Sequence, residues 1–420
     1  MNTKIRKYIR LISESKYVFF INVSDRLFSF VIFLILARNF SYENYGEVIT
    51  VFTVATIFST ILDLGFPAYL QRGISIDKLN SSAIFTNVFV IYLFNFLPFL
   101  ILCFLTSHFI YSNIPINIFG VICIAMYISS LVNVCNKSLS GMFNFKSQFI
   151  TFIISRSFIV IFFITGLYLI KFDLNSLLAV ILIGFFLHLV LQLWFLDTNG
   201  INLKLRSFEI KFSKFIIKST IPLGIAIIIN FLYDKIDILL LSKILDFTKV
   251  AGYNIAYGLY KTSSLAFSFI LVSGYSRVSF LSRNKKGVFL FLKKYFYILC
   301  VICVITAFIL IIFSHFIIQL FYSSRYEESI PVLKVLSVGI LAFGLNNLTG
   351  IILNGIGMYK TVMYITLFGL LVNVILNILF IPKFGIMAAA AITVITEYFV
   401  FFFEFYYLKK ILNLSFVETT

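Results

Sequence analysis

From end to end, the chain alternates long apolar runs with short polar breaks. Twelve runs are long enough to cross a hydrocarbon layer of about 30 Å as helices. They are 16–37, 46–70, 83–107, 116–135, 149–170, 174–196, 215–241, 251–275, 295–320, 331–354, 361–381 and 385–408. No break between them exceeds about 20 residues, so no soluble domain is expected. The longest break, 197–214, is also strongly basic and divides the runs into two sets of six. The expected fold class is an all-α integral membrane protein of twelve transmembrane helices in two six-helix lobes. The lobes are 1–200 and 215–420, with residues 201–214 as a basic cytoplasmic linker.

Polar residues interrupt this pattern in a few places. Residues 215–241 read FIIKSTIPLGIAIIINFLYDKIDILLL and carry Asp234, Lys235 and Asp237 in their distal half. On a helix turning 100° per residue, Asn230, Asp234 and Asp237 fall within about 60° of one another. A charge at membrane depth costs at least ~2.5 kcal/mol. Such a face is expected to look into protein or water. Either it pairs with a neighbouring helix or it borders a polar passage. Lys235 points about 100° away from Asp234 and is expected to snorkel outward.

Other runs carry similar stripes. Asn22, Asp25, Arg26 and Ser29 share a face in the first, and Thr53, Thr56, Thr60 and Asp63 lie together in the second. In the eighth, Asn254, Tyr257, Lys261, Ser264 and Ser268 form one stripe, with Lys261 near mid-membrane. The first two helices of each half therefore carry the polar stripes. Packed about a two-fold axis, these four could line a shared cavity holding both signs of charge. Arg156 in the fifth run either snorkels or joins a polar face with Ser155 and Ser157. Glu397 and His188 are candidates for proton handling, although a lone His is more often a packing residue. Asn346, Asn347, Asn373 and Asn377 are expected to tie helices together, and the small residues of GILAFGLNNLTGIILNGIG to permit close packing or bending.

The halves repeat weakly but in register. Arg38, Gly46 and Arg72 correspond to Lys243, Gly252 and Arg277 at offsets of 205, 206 and 205 residues. With six spans each, the copies share one membrane orientation and would be related by a pseudo-two-fold axis along the membrane normal.

Composition sharpens the class. The chain is 61% hydrophobic and only 12% charged, which marks a membrane protein. Its net charge of +17 would suggest nucleic acid in a soluble protein, but the distribution decides otherwise. With the N-terminus inside, 23 Lys and Arg fall in cytoplasmic segments and seven outside. That places both termini in the cytoplasm, with most of the charge facing the anionic inner leaflet. The N-terminal segment shows no cleavable signal. Cys300 and Cys303 have redox or zinc spacing but sit within LCVICVI with no His or second Cys pair nearby, so no metal or cofactor is expected. There is no Walker loop, no nucleophile constellation, no large outer loop and no filter segment. A transporter is the reading left, and its buried cations suit an anionic group such as phosphate.

Several passages carry a resemblance: DLGFPAYLQR at 63–72, GYNIAYGLYKTSSLAFSFILVSGYSRVSFLSR at 252–283, and NGIGMYKTVMYITLFGLLVNVILNILFIPKFGIMAAAAITVITEYFVFFF at 354–403. They resemble the Wzx-type O-antigen repeat-unit flippases of the multidrug/oligosaccharidyl-lipid/polysaccharide exporter (MOP) superfamily. The resemblance implies a cationic cavity between six-helix lobes in the bacterial inner membrane. It implies translocation of an undecaprenyl-pyrophosphate-linked oligosaccharide by alternating access coupled to an ion gradient. A glycan polymerase and a chain-length regulator would be partners. Arg26, Lys261 and Arg156, with Asn22, Asn230 and Tyr257, would line the substrate cavity. Asp25, Asp63, Asp234, Asp237 and Glu397 would be ion-pair or coupling residues. A cation-coupled drug antiporter of the same architecture is the alternative.

Overall fold

The computed structural model describes residues 3–271, 274–282 and 284–412. Arg283 and the side chains of Lys4, Arg6, Lys7, Arg10 and Ser268 lie outside the described residues. All regular structure among the described residues is helical. The helices are α1 (Thr3–Asn39), α2 (Tyr42–Asp63), α3 (Phe66–Ile76), α4 (Ser81–Ile110), α5 (Ile116–Gly141), α6 (Phe145–Ile170) and α7 (Leu174–Thr198). They continue with α8 (Ile210–Ile244), α9 (Phe247–Thr262), α10 (Leu265–Leu271), α11 (Gly274–Leu281) and α12 (Lys285–Tyr322). The last three are α13 (Ser329–Val338), α14 (Ile340–Gly355) and α15 (Tyr359–Leu412).

Polar side chains start several of these helices where the sequence breaks. Asn144, Asp173, Asp246 and Asn284 each accept a hydrogen bond from the backbone N–H three residues on, at 2.8–3.2 Å. The hydroxyl and N–H of Ser176 hold the Asp173 carboxyl below its ordinary range.

Among the described residues, nine helices are long and apolar enough to cross a membrane. The number is ten when α13 and α14, which meet at a 44° bend, count as one. The bend falls at Gly339, in the stretch whose small residues foretold close packing or bending.

Two spans differ from their sequence reading, and two are joined more closely than it suggested. The run 46–70 is interrupted after Asp63, where Leu64 and Gly65 adopt φ of 47° and 77° before Pro67 opens α3. The run 251–275 is not one helix. Thr262 and Ser263 donate their hydroxyls to the carbonyls of Gly258 and Tyr260, at 2.7 and 2.6 Å, and the helix stops there. Lys261 therefore lies in the last turn of α9. The runs 361–381 and 385–408 are the two arms of α15, joined at Gly385 with φ 60° and ψ −143°. That backbone conformation is open to glycine and to few other residues. The Phe368 and Phe399 rings lie 5.4 Å apart, whereas 31 residues of straight helix would separate them by about 46 Å. The stretch doubles back as a hairpin.

The chain divides into two compact units. The first comprises Met1–Phe40 with Glu47–Ile228, and the second Ser41–Gly46 with Ile229–Thr420. Within the first, α5 packs on α3 and α7, and α6 on α1 and α7. A Cβ at Gly184 of α7 would stand 2.2 Å from Ile159 of α6, so the two backbones meet closely. The basic segment before α8 is strapped to α4. Lys204 N–H donates to Thr86 Oγ1 and Glu209 N–H to Asn87 Oδ1, both at 3.0 Å. Within the second unit, α14 packs on α12 and α15, and α13 on α9 and α12. The Cys303 sulfur fills the space beside Gly344. In lipid such contacts replace the hydrophobic effect as the cause of helix association. One side of α12 presents Val301, Ile305, Phe308, Ile312 and Phe316 outward, as a lipid-facing helix must.

The tightest approach in the second unit is at Gly46, where a Cβ would sit 1.8 Å from the Phe247 carbonyl oxygen. Gly46→Ala should destabilise the protein by about 1–3 kcal/mol. Gly258→Ala, with nothing within 4 Å, should not. Thermal unfolding in detergent, followed by fluorescence-detected size exclusion, checks the pair.

Candidate functional site

The first unit holds an open polar cavity of about 410 Å³. Its walls come from α1, α2, α5, α6 and α7. The charged lining residues are Asp25, Asp63 and Arg156, joined by His188 and by a belt of hydroxyls and amides that includes Asn22, Thr60, Ser130, Asn133 and Asn136. Every wall belongs to one unit, so this chamber is not built from the first two helices of each half.

Arg156 is 11 residues into α6, about 16 Å along the helix. The helix begins at Phe145, earlier than the apolar run suggested, so Arg156 sits near its middle. Its side chain is 15% exposed and does not snorkel. Nη2 lies 3.7 Å from Asp25 Oδ1, and the guanidinium rests over the Phe185 and Phe152 rings at 4.6 and 5.4 Å. Asp25 is half exposed. Asp63 Oδ1 accepts the Gly65 N–H at 3.2 Å, bracing the break after α2. Arg26, one residue on from Asp25, is half-buried and is not among the lining residues.

The second unit holds a denser charge network. Asp234 Oδ1 accepts from Lys261 Nζ at 2.6 Å and from the Tyr257 hydroxyl at 2.8 Å, and its backbone oxygen accepts from that hydroxyl too. Lys235 Nζ approaches Asp234 Oδ2 at 3.4 Å and lies 5.4 Å from the Tyr257 ring centre. This corrects the expectation that Lys235 snorkels outward. Its four-carbon stem is long enough to fold back through the 100° between neighbours. The Lys261 ammonium rests over Phe343 at 4.3 Å, and its place in the last turn of α9 suits a cation.

Asp237, one turn further along α8, is 4% exposed and meets neutral groups. Asn377 Nδ2 donates to Oδ1 at 2.8 Å, while the hydroxyls of Thr393 and Tyr253 lie 2.7 and 2.9 Å from Oδ2. Asp234 and Asp237 thus share a helix face but serve different surroundings. Glu397 is buried and accepts from Asn346 Nδ2 at 2.5 Å. Asn346 and Asn377 do tie helices together, whereas Asn347 bonds only the Phe343 carbonyl of its own helix. Asn230 is exposed on α8.

Sequence reasoning passed over Gln192, Asn136 and Glu404. Gln192 Nε2 contacts Asn136 Oδ1 and Thr151 Oγ1, each at 2.7 Å. Glu404, 3% exposed, accepts from the Thr349 hydroxyl. Two signals were available: Glu404 follows Glu397 by seven residues on one helix face, and Gln192 follows His188 by four.

The described residues form a helical bundle with nine or ten apolar spans and charge held inside its units. Solved structures of transporters share the fold. An inward-facing multidrug resistance transporter of the MATE family, in the MOP superfamily, has a TM-score of 0.76 at 14% identity, over 92% of this chain and 94% of that one. The lipid II flippase MurJ, in an inward closed conformation, has a TM-score of 0.72 at 18% identity, over 95% and 87%. An uncharacterized membrane protein of Methanocaldococcus jannaschii is 24% identical over 414 residues, covering 93% of this chain and 96% of its own length. A second from the same organism is 32% identical over 134 residues, 32% of this chain and 26% of that protein, so the match spans about a quarter of its length. The polysaccharide biosynthesis protein family model matches residues 14–275 and the MatE model residues 222–379. The chain belongs to the polysaccharide biosynthesis protein family.

Removing Asp234 strands the Lys261 ammonium and should destabilise the protein by about 3 kcal/mol, whereas removing Lys261 leaves Asp234 with Lys235 and Tyr257 and should cost less. The double variant should recover part of that loss, with a coupling of about 1–3 kcal/mol. A double-mutant cycle of Asp234→Ala and Lys261→Ala on thermal stability measures it.

Proposed function

We propose that the protein flips a lipid-linked oligosaccharide across the membrane by alternating access. The carrying observation is the cavity of the first unit: a chamber lined with charges, hydroxyls and amides inside a bundle otherwise coated for lipid. A polar head needs such a chamber, because burying its hydroxyls without hydrogen-bond partners costs several kcal/mol each in hydrocarbon. Membership of the polysaccharide biosynthesis family supports this choice of cargo. Twelve crossings in two lobes of six is the architecture we infer. In its support, α15 doubles back as a hairpin, α13 and α14 make one bent span, and α9 with α10 makes a broken one.

In its finest form the reading is an undecaprenyl-pyrophosphate-linked O-antigen repeat unit, moved from the cytoplasmic to the periplasmic leaflet of the inner membrane. Both termini would be cytoplasmic, as the 23-to-7 division of Lys and Arg favours. A glycan polymerase and a chain-length regulator would then act downstream. Arg26, Arg156 and Lys261 are the cations for the pyrophosphate and sugar. Asp25, Asp63, Asp234, Asp237 and Glu397 are the candidates for coupling to an ion gradient. Among them, Asp237 is set among hydroxyl and amide groups from α9 and the α15 hairpin.

The second reading, a cation-coupled drug antiporter, is favoured by the MatE match over residues 222–379. Reconstitution separates the two. With the protein in liposomes and an imposed ion gradient, a labelled polyprenyl-pyrophosphate oligosaccharide should become accessible in the opposite leaflet, and Asp234→Ala and Lys261→Ala should each slow this at least about tenfold. Gradient-driven movement of simple organic cations, with no movement of the glycolipid, would establish the antiporter instead.

A further inference from the structure

The segment leading into α8 is not a loose tether. Asn87 of α4 is 1% exposed. Its Nδ2 donates to the Ser207 carbonyl at 2.9 Å, and its Oδ1 accepts from the Glu209 N–H at 3.0 Å and the Ser213 hydroxyl at 2.9 Å. Thr86 and Ser82 accept the Lys204 and Asn202 N–H groups at 3.0 and 3.1 Å. One helix of the first unit thus fixes the backbone from Asn202 to Ser213.

What it fixes is cationic. Lys204, Arg206, Lys211, Lys214 and Lys218 are all exposed, and none forms an ion pair among the described residues. Between residues 204 and 218 the only carboxylate is Glu209, so the five cations leave a surplus of four. Hydrogen bonds from Ser82 to Gly200 and from Asn144 to Asn199 bring two neighbouring turns to the same end. Those turns add Asp77 and Asp197 but also Lys78 and Lys146, so the surplus stands. Unpartnered cations on a fixed backbone ask for an anion and lose little freedom in binding it.

The surface of α8 says which kind. At 100° per residue, Lys211, Lys214, Lys218, Ile221 and Ile225 fall within about 80° of arc. The three lysines cover about 10 Å of the axis, and the row runs on for about as far again with the isoleucines. Ile221 and Ile225 are 40% and 44% exposed. A cationic stretch that passes straight into an apolar one repeats the order of a phospholipid, charged head and then acyl chain. A soluble anion or an acidic protein would use the lysines and leave the isoleucines idle. None of the three lysines lines the cavity of the first unit, so the row is a surface of its own.

We propose that the exposed row of α8 from 211 to 225 is a docking site for an anionic phospholipid, with the phosphate and headgroup on the lysines and an acyl chain along Ile221 and Ile225. The site is separate from the polar cavity and stands whatever that cavity carries.

The test uses the full chain with Trp194→Phe, which removes the single native indole, and Ile225→Trp, which places a reporter beside the acyl chain. The protein is held in phosphatidylcholine nanodiscs containing rising amounts of brominated phosphatidylglycerol or brominated phosphatidylcholine. Half-maximal quenching should need at least about tenfold less of the anionic lipid, each lysine contributing up to about fivefold. Added salt should narrow the gap in the otherwise unaltered chain. Lys211→Gln, Lys214→Gln and Lys218→Gln together should close it, whereas Lys211→Arg, Lys214→Arg and Lys218→Arg together should keep it. Equal quenching by the two lipids would overturn the proposal, as would a preference that ignores salt or survives the three glutamines. Displacement of phosphatidylglycerol by millimolar inorganic phosphate would give the row to a free anion. Displacement by about a tenth as much undecaprenyl phosphate would give it to a cargo lipid. Either result would also overturn the proposal.

Discussion

A charge inside a lipid-embedded bundle has no bulk water to fall back on, so the protein itself must supply the solvation. This constraint organises both units. Asp234 is met by Lys261, Lys235 and the Tyr257 hydroxyl, and Arg156 by Asp25 and two aromatic faces. Asp237 receives three neutral polar groups from other helices. An exposed ion pair such as Lys249 with Glu328 adds little to stability and weakens with salt. The enclosed pairs differ in kind, because removing one member strands the other.

The two units solve the problem in different ways. The second is close-packed around its charges: the α15 hairpin, α14 and the α8–α9 pair bring carboxylates, amides and hydroxyls into direct contact. The first leaves room between its polar groups, and those groups sit on five helices. Tight pairing suits groups that hold structure or exchange an ion. An open, hydrogen-bonding chamber suits a polar cargo that must come and go, since each lining group can trade a protein or solvent partner for a ligand oxygen. The shared feature is that carboxylates outnumber the cations they sit with, Asp25 and Asp63 beside Arg156 and Asp234, Asp237, Glu397 and Glu404 beside Lys235 and Lys261, so neither group of charges is strongly cationic.

Much of this could be read from the sequence. The apolar runs are visible because lipid demands them, and the polar stripes of the first and second runs do reach the cavity at Asn22, Asp25, Thr56, Thr60 and Asp63. What escaped depends on contacts between distant elements. Arg156 and His188 stand on one cavity because α6 and α7 approach closely at Gly184 and Ile159, a meeting that no periodicity announces. The stop after Thr262 was hidden because the polar stripe runs on past it in the sequence to Ser264 and Ser268, whereas the Thr262 and Ser263 hydroxyls bond the backbone of their own helix. Lys235 was misplaced because helical angle fixes where a Cβ points, not where a flexible stem ends. Asn136, just past the end of the fourth run, gains its meaning only from Gln192 on another helix.

The turn at Gly385 bears on how the protein is made. Its two arms are separated by so little chain that no polar loop can wait in water while the first arm enters the bilayer. With so tight a turn, the second arm must run back beside the first as it enters. The apposition of Gly369 with Val400 and of Phe368 with Phe399 is then a condition of biogenesis as well as of the finished fold.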